Sequence, residues 1–513
     1  MLERRDVLKL ALAGLAAGSD ILSAQAEDAP APAFALGNPA QFQPGMVVDA
    51  ARDLAKQAYK PPAGDVPAPL RNLSYDQYVA IRNRPGTAIW FNDNVGFALE
   101  PLHRGFLFTT PVEINIVAQG ETRRLIYNSA LFDFGKLAVP ANMGDIGFSG
   151  FRILVPRNKN RMAEVATFQG ASFFRAVAPG QNPGTMARAL SIKTADPRGE
   201  EFPMIRTFWI ERPTLAANTL VIHALIDSAS ITGAYRFTLH PGEASIIDTE
   251  CNLFARAAVD NLGIATMSAT ALSSPIDHRH PDDIRPTIAD IGGVQMATGK
   301  SEWIWRPTTN RETLQVSTFV DDGPRGFGFL QRDRNFDHYQ DDDQHWELRP
   351  SLWIEPIGEW GPGGVQLVEI PNDSEANDNI IAFWRPQQVL PAGGEIAFAY
   401  RQFWCWSPPV KPDLATVVTT RGGRGSNGRR RRFLVEFHGD ALAATQPQQD
   451  IKPMVTAAPG SITFVRQFYS PDVKTCRILF ELDPGNEASS ELRLVLEAAG
   501  KPISETWLYR WTH

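Results

Sequence analysis

Cysteine is scarce in this chain. Cys251, Cys405 and Cys476 are its only thiols in 513 residues, too few to staple a chain of this length, so stability has to come from buried apolar surface. Cys405 and Cys476 share the C-terminal region, which leaves one pairing open; three small buried apolar residues is the plainer reading. No CxxC, no HExxH and no Cys/His spacing of the zinc type occurs, so neither a metal nor another cofactor is expected. The nine histidines are scattered, apart from His278-Arg279-His280 in a Pro/Asp-rich stretch that reads as a solvated loop. Beyond the N-terminal segment no apolar run is long enough to cross a membrane, so no stable membrane insertion is expected. An excess of positive charge is also missing. The net charge of −7 argues against a general nucleic-acid binder.

What is present begins with a targeting segment, residues 1–26. Arg4-Arg5 precede Val7-Leu8-Lys9, an Ala/Leu-rich run extends from Leu10 to Ala17, and Ala24-Gln25-Ala26 supplies a small-x-small cleavage site. The arginine pair resembles a twin-arginine export signal, with Glu3 and Val7 standing where Ser/Thr and Phe are usual. An ordinary secretory signal is the alternative. Either takes the chain out of the cytoplasm, and into the periplasm of a Gram-negative cell.

After two helical patterns, Val47–Tyr59 and Ser74–Ile81 with its capping-box spacing, the signal turns to strands. Segments such as ATFQGASFFRAV and TLVIHALIDSASITGAYRFTLHPG alternate apolar with polar residues between Gly, Pro and Asn/Asp breaks. No βαβ rhythm appears, which predicts an all-β sandwich. The stretch Arg385–Gly394, with two prolines and paired glycines, is the predicted linker. It divides a large domain over 27–388 from a C-terminal domain over 389–513. The latter, about 120 residues, suits one immunoglobulin-like sandwich of roughly 100.

The chemistry concentrates between Phe327 and Trp384, where acidic and aromatic residues alternate and Asn377-Asp378-Asn379 precedes an apolar strand. Aromatic faces stack on the C–H face of a pyranose, and a carboxyl group must protonate the leaving oxygen when a glycosidic bond breaks. Asp378 is therefore a candidate acid, though a turn-forming Asp before a strand gives the same pattern. Trp303 and Trp305 alternate on one strand, so they share a face and either floor a groove or belong to a core. Asp341-Asp342-Asp343 lacks the Gly and distal Glu of a calcium loop and reads as a solvated rim.

Many of these words, in order, resemble the periplasmic glucans biosynthesis family of G and D type. They include Leu73-Ser-Tyr-Asp-Gln-Tyr78, Gly199-Glu-Glu-Phe-Pro203, Glu302-Trp-Ile-Trp-Arg-Pro307, Leu348-Arg-Pro-Ser-Leu-Trp353 and Asn377-Asp-Asn-Ile380. The twin-arginine-like signal favours the D-type branch. The resemblance implies a large galactose-mutarotase-like β-sandwich joined to an immunoglobulin-like domain, acting on osmoregulated periplasmic glucan, whose backbone is β-1,2-linked glucose. D-type members look like inverting endo-β-1,2-glucanases. A homodimer is left open.

Carried over residue by residue, the resemblance makes Asp378 the general acid and Asp290, in Arg285-Pro-Thr-Ile-Ala-Asp290, the general base. Proton transfer in the family looks indirect, through hydroxyl or water relays, so the usual inverting separation of roughly 6.5–9.5 Å is not required. Burial near Trp384 or Trp360 would raise the Asp378 pKa as an acid needs. Glu375, Trp346 (where relatives tend to carry Tyr), Trp303, Arg349 and Trp360 are the substrate-binding candidates. For Glu375, a loop surface charge is the competing reading. The basic run Arg421–Arg432 reads as a solvated, mobile loop, or as an arm that closes over the glucan. The rival to a hydrolase is a non-catalytic scaffold that presents glucan to a synthase; transfer chemistry is a third option.

Overall fold

A computed structural model describes residues 34–140, 143–158, 161–214, 216–277, 282–443 and 451–513. The targeting segment and His278–His280 lie outside them. The chain is built almost wholly of strands, as expected. One layer is a nine-stranded sheet, antiparallel throughout, in the order Gln315–Asp321, Gly363–Glu369, Ile380–Pro386, Leu262–Ala269, Met186–Ile192, Phe173–Ala176, Arg161–Gln169, Gly150–Asn158 and Ala98–Leu102. The facing layer runs from Glu113–Ala118 through Met204–Glu211, Leu220–Asp227, Ile231–His240 and Ser245–Ala255 to Glu395–Cys405. It continues through Ser351–Ile357, Gly326–Leu330 and Gly293–Ala297 to Trp303–Pro307.

Alternation puts one side of each sheet into a single core, where Phe174, Met267 and Leu367 of the first layer meet Phe237, Leu253 and Tyr400 of the second. The helix Gly45–Ala55 covers the outer face of the second layer, burying Val47 and Ala51 against Ala234 and Phe254. The second predicted helix is Tyr75–Val79. Ser74 caps it, with the Ser74 hydroxyl on the Gln77 amide and the Gln77 side chain on the Ser74 amide.

The predicted boundary at 388/389 falls inside the large sandwich. Glu395–Cys405 pairs along its length with Ser245–Ala255 on one side and Ser351–Ile357 on the other. The Pro/Gly-rich stretch before it carries the chain from one layer to the other and is held there, with Leu390 bridged to Val259. The crossing to the C-terminal unit comes later, over 406–414. That unit has two sheets, one of Thr416–Arg424, Arg431–His438, Thr475–Asp483 and Ser461–Ser470, the other built on Ile451–Ala458, Ser489–Ala498 and Thr506–Thr512. Cys251, Cys405 and Cys476 are all free and buried, so the open pairing is not made.

The two units share structure. Ile304 and Trp305 pair in parallel with Thr506 and Trp507, and one apolar cluster contains Trp303, Trp305 and Trp353 together with Phe433, Phe480 and Trp507. At the same boundary the buried Glu505 carboxylate accepts from Arg332, Gln295 and the Val417 amide. The basic run is part of this second unit as a paired hairpin, Arg424 opposite Arg431. Glu481 accepts from Ser426 and Arg432, and Asp483 from Arg430. Acidic partners on the neighbouring strand thus hold the segment that was expected to be a solvated, mobile loop or an arm over the glucan.

Candidate active site

The site forms at one end of the nine-stranded sheet, on the face away from the core. A bulge sets it up. Ala265 takes a left-handed φ of 51°, and the register with Ile380–Pro386 slips between Ile264–Trp384 and Met267–Ala382. Past that point Met267 and Ala269 point into the core. Thr266, Ser268 and Thr270 therefore point outward, although all three are buried.

Asp378 arrives from the hairpin loop that joins Gly363–Glu369 to Ile380–Pro386. Asn372 folds this loop by donating its amide to the Ser374 and Asn377 carbonyls. Asn379 then acts as a false rung of the ladder: its side chain accepts from the Ala271 amide and donates to the Ala271 and Ile370 carbonyls. The Asp378 carboxyl lands on two hydroxyls, with the Ser268 hydroxyl 2.5 Å from Oδ2 and the Thr270 hydroxyl 3.5 Å from Oδ1. It is 2 % exposed. Burial, reinforced by the nearby Asp290 charge, pushes its pKa up to about 7 against the pull of Ser268, Thr270 and Arg188.

Asp290 meets the same turn from the other side. The Thr270 amide donates to Asp290 Oδ2 at 2.9 Å, and the Asp290 amide returns a bond to the Thr270 carbonyl. Thr270 is thus the common anchor of both predicted carboxyls. Burial also raises the Asp290 pKa, opposed first by the Arg349 guanidinium, whose Nε lies 3.5 Å from Oδ1. Arg349 is itself 2 % exposed, donates to Gln344 and lies 4.9 Å over the Trp346 ring. Gly184 fits tightly here, because a Cβ on it would come within 2.7 Å of both Arg349 and Asp290.

Glu375 sits at the rim, where Arg285 binds it at 3.0 Å together with Asp341 and Asp283, each at 2.7 Å. Asp341 is therefore a buried partner of Arg285 and of the Trp346 indole N–H, 2.8 Å away, and not a solvated rim. Trp346 itself packs beneath Arg349 with Leu272, Ile288 and Tyr339, supporting the site from below. Two predicted residues are not brought here. Trp303 stacks on Trp353 in the core between the units. Trp360 packs on Trp384, Phe398 and Tyr400 in the main core, with its indole N–H on the Ala399 carbonyl. Neither Trp360 nor Trp384 is thus available to bury Asp378, whose cover comes from the sheet face itself. Sequence reasoning missed Ser268, Thr270, Gly184, Arg188 and the hub role of Arg285, since none carries a local pattern.

Over residues 42–511 the chain matches the family model described as periplasmic glucan biosynthesis protein, MdoG. The chain belongs to that family. It is 42 % identical over 480 residues to glucans biosynthesis protein G of Vibrio cholerae, covering 92 % of this chain and 87 % of the relative. The protein of the same name from Rhodopseudomonas palustris is 42 % identical over 484 residues, 94 % and 96 % of the two chains. A Shewanella relative, also named glucans biosynthesis protein G, is 42 % identical over 476 residues, 92 % of this chain and 87 % of its own. Membership places the chain in periplasmic glucan biosynthesis. Among the described residues no helix is long and apolar enough to cross a membrane.

Proposed function

We propose that this protein is a periplasmic, inverting endo-β-1,2-glucanase that sets the backbone length of osmoregulated glucans. Asp378 is the general acid and Asp290 the general base. The observation that carries this reading is the pair of buried carboxyls on one anchor, Thr270, with Asp378 keeping its proton up to about pH 7 and Asp290 beside the Arg349 guanidinium. Environments that differ in this way divide two carboxyls into proton donor and proton acceptor. Asp378 gives its proton to the leaving glycosidic oxygen while Asp290 takes one from the attacking water, directly or through a hydroxyl. The new hydroxyl enters from the face opposite the departing chain, so a β-linkage yields an α-product. The galactose-mutarotase-like and immunoglobulin-like assignments of the two units, and the D-type branch, belong to the same reading.

One observation favours the rival scaffold reading. Asp378, Asp290 and Arg349 are each 2 % exposed, so a polymer does not reach them in this structure without movement of the residues around them. Incubation with linear β-1,2-glucan, followed by product sizing, separates the two readings. Shortened chains support the hydrolase; bound but intact glucan supports the scaffold.

A further inference from the structure

Arg188 lies on Met186–Ile192, opposite Thr266 in the ladder. Its neighbours Ala187 and Ala189 both point into the core, so the Arg188 side chain takes the outer face that also carries Ser268, Thr270 and Asp378. It is 1 % exposed. Nη1 donates to Glu200 at 2.7 Å, and Glu200 is itself fixed by the Thr194 hydroxyl at 2.9 Å. The guanidinium stands 4.6 Å from the Phe173 ring centre and 5.7 Å from that of Phe202. These contacts fix the guanidinium in place.

The other edge is unused. Nε and Nη2 are buried and meet no hydrogen-bond partner among the described residues. Two parallel N–H donors on a rigid plane form a side-on fork that suits two adjacent oxygens. Leaving such donors unpaired in a buried place is costly, so a site that keeps them so is built for something that arrives later. Arg188 thus shares the outer sheet face with Ser268 and Thr270, which hold the Asp378 carboxyl, and its charge is felt there.

We propose that Arg188 is a sugar-contacting residue whose Nε/Nη2 edge grips two adjacent hydroxyls of the glucose unit lying against Asp378. This deepens, and rests on, the glucan-cleaving reading above. The linkage chemistry makes it specific. A glucose inside a β-1,2 chain has O1 and O2 in linkages and keeps O3 and O4 as a free neighbouring pair. A glucose inside a β-1,3 chain has no neighbouring pair left. The fork therefore separates a β-1,2 chain from a β-1,3 chain, whereas β-1,4 and β-1,6 chains also keep a neighbouring pair.

The test measures binding by calorimetry on an Asp378→Asn background, where the sugar stays intact. The probe is a linear β-1,2-gluco-oligosaccharide. Arg188→Lys keeps a cation for Glu200 but has no fork; it is expected to fold with an unchanged Tm and to bind about 10- to 100-fold more weakly. Equal affinity in the Lys variant overturns the proposal, because a purely structural Arg188 would be rescued by Lys. A second arm needs no mutation at Arg188: a β-1,2-oligosaccharide lacking its 4-hydroxyls should bind more weakly by a similar factor. Undiminished binding of that probe also overturns the proposal. If the intact β-1,2 probe does not bind at all, the glucan reading itself falls, a result distinct from either failure at Arg188.

Discussion

Asp378→Asn should make the protein more stable at alkaline pH, and by an amount the site dictates. The Asp378 carboxyl has an ordinary value of 3.8 and is pushed up to about 7 when folded. The folded state thus holds this proton more tightly than the unfolded state. Stability from this group is complete below 3.8, drains away as pH rises, and is gone above about 7. The gap corresponds to about 4 kcal/mol at pH 8, the cost of keeping a charged carboxylate where burial disfavours it. Asn carries no charge, and its side-chain oxygen still accepts from the Ser268 hydroxyl that now reaches Oδ2. Recovering about 2–4 kcal/mol corresponds to a Tm gain of about 3–5 °C for a sandwich of this size. Thermal melts of both variants from pH 4 to pH 8 isolate the effect, because the other titrating groups are common to the two. The Tm difference should be near zero at pH 4 and grow to its full value by pH 8. A flat difference, or an Asn variant less stable at pH 8, would mean that Ser268 and Arg188 hold Asp378 as a carboxylate. That would refute its role as a proton donor at neutral pH.

Two further outcomes follow from the packing. Gly184→Ala puts a methyl within 2.7 Å of Arg349 and Asp290; it should cost about 1–3 kcal/mol by overpacking and lower β-1,2-glucan turnover, read as kcat against chain shortening. Trp303→Ala should cost about 3–5 kcal/mol in urea unfolding yet leave glucan affinity unchanged among folded molecules, since Trp303 is stacked on Trp353 in the core between the units.

Strand content was legible because alternation and Gly/Pro breaks report directly on a half-buried sheet. The segment TLVIHALIDSASITGAYRFTLHPG folds as the paired strands Leu220–Asp227 and Ile231–His240. The boundary was not legible. Two prolines and paired glycines mark a sharp turn whether the chain is leaving a domain or changing layers within one, and only the pairing of Glu395–Cys405 distinguishes them. Tryptophan misled for a similar reason: Trp303 and Trp360 are both buried, and composition cannot tell a core from a sugar platform. In Ile451–Ala458 a proline lies within a strand, where Pro453 sits in the antiparallel pair with Ser489–Ala498. Within the site, Asp378 and Asp290 stood out through the family resemblance. Their partners Arg188, Ser268 and Thr270 did not, because none carries a local pattern, and a bulge at Ala265 decides which way Ser268 and Thr270 face.

The most direct measurement follows the anomer first released from linear β-1,2-glucan by proton NMR, with the wild type and Asp378→Asn side by side. The wild type should shorten the chain and release the α-anomer before mutarotation, and Asp378→Asn should lose about 10²–10⁴-fold in rate. Release of the β-anomer first, near-normal cleavage by Asp378→Asn, or bound glucan that is never shortened would contradict the account.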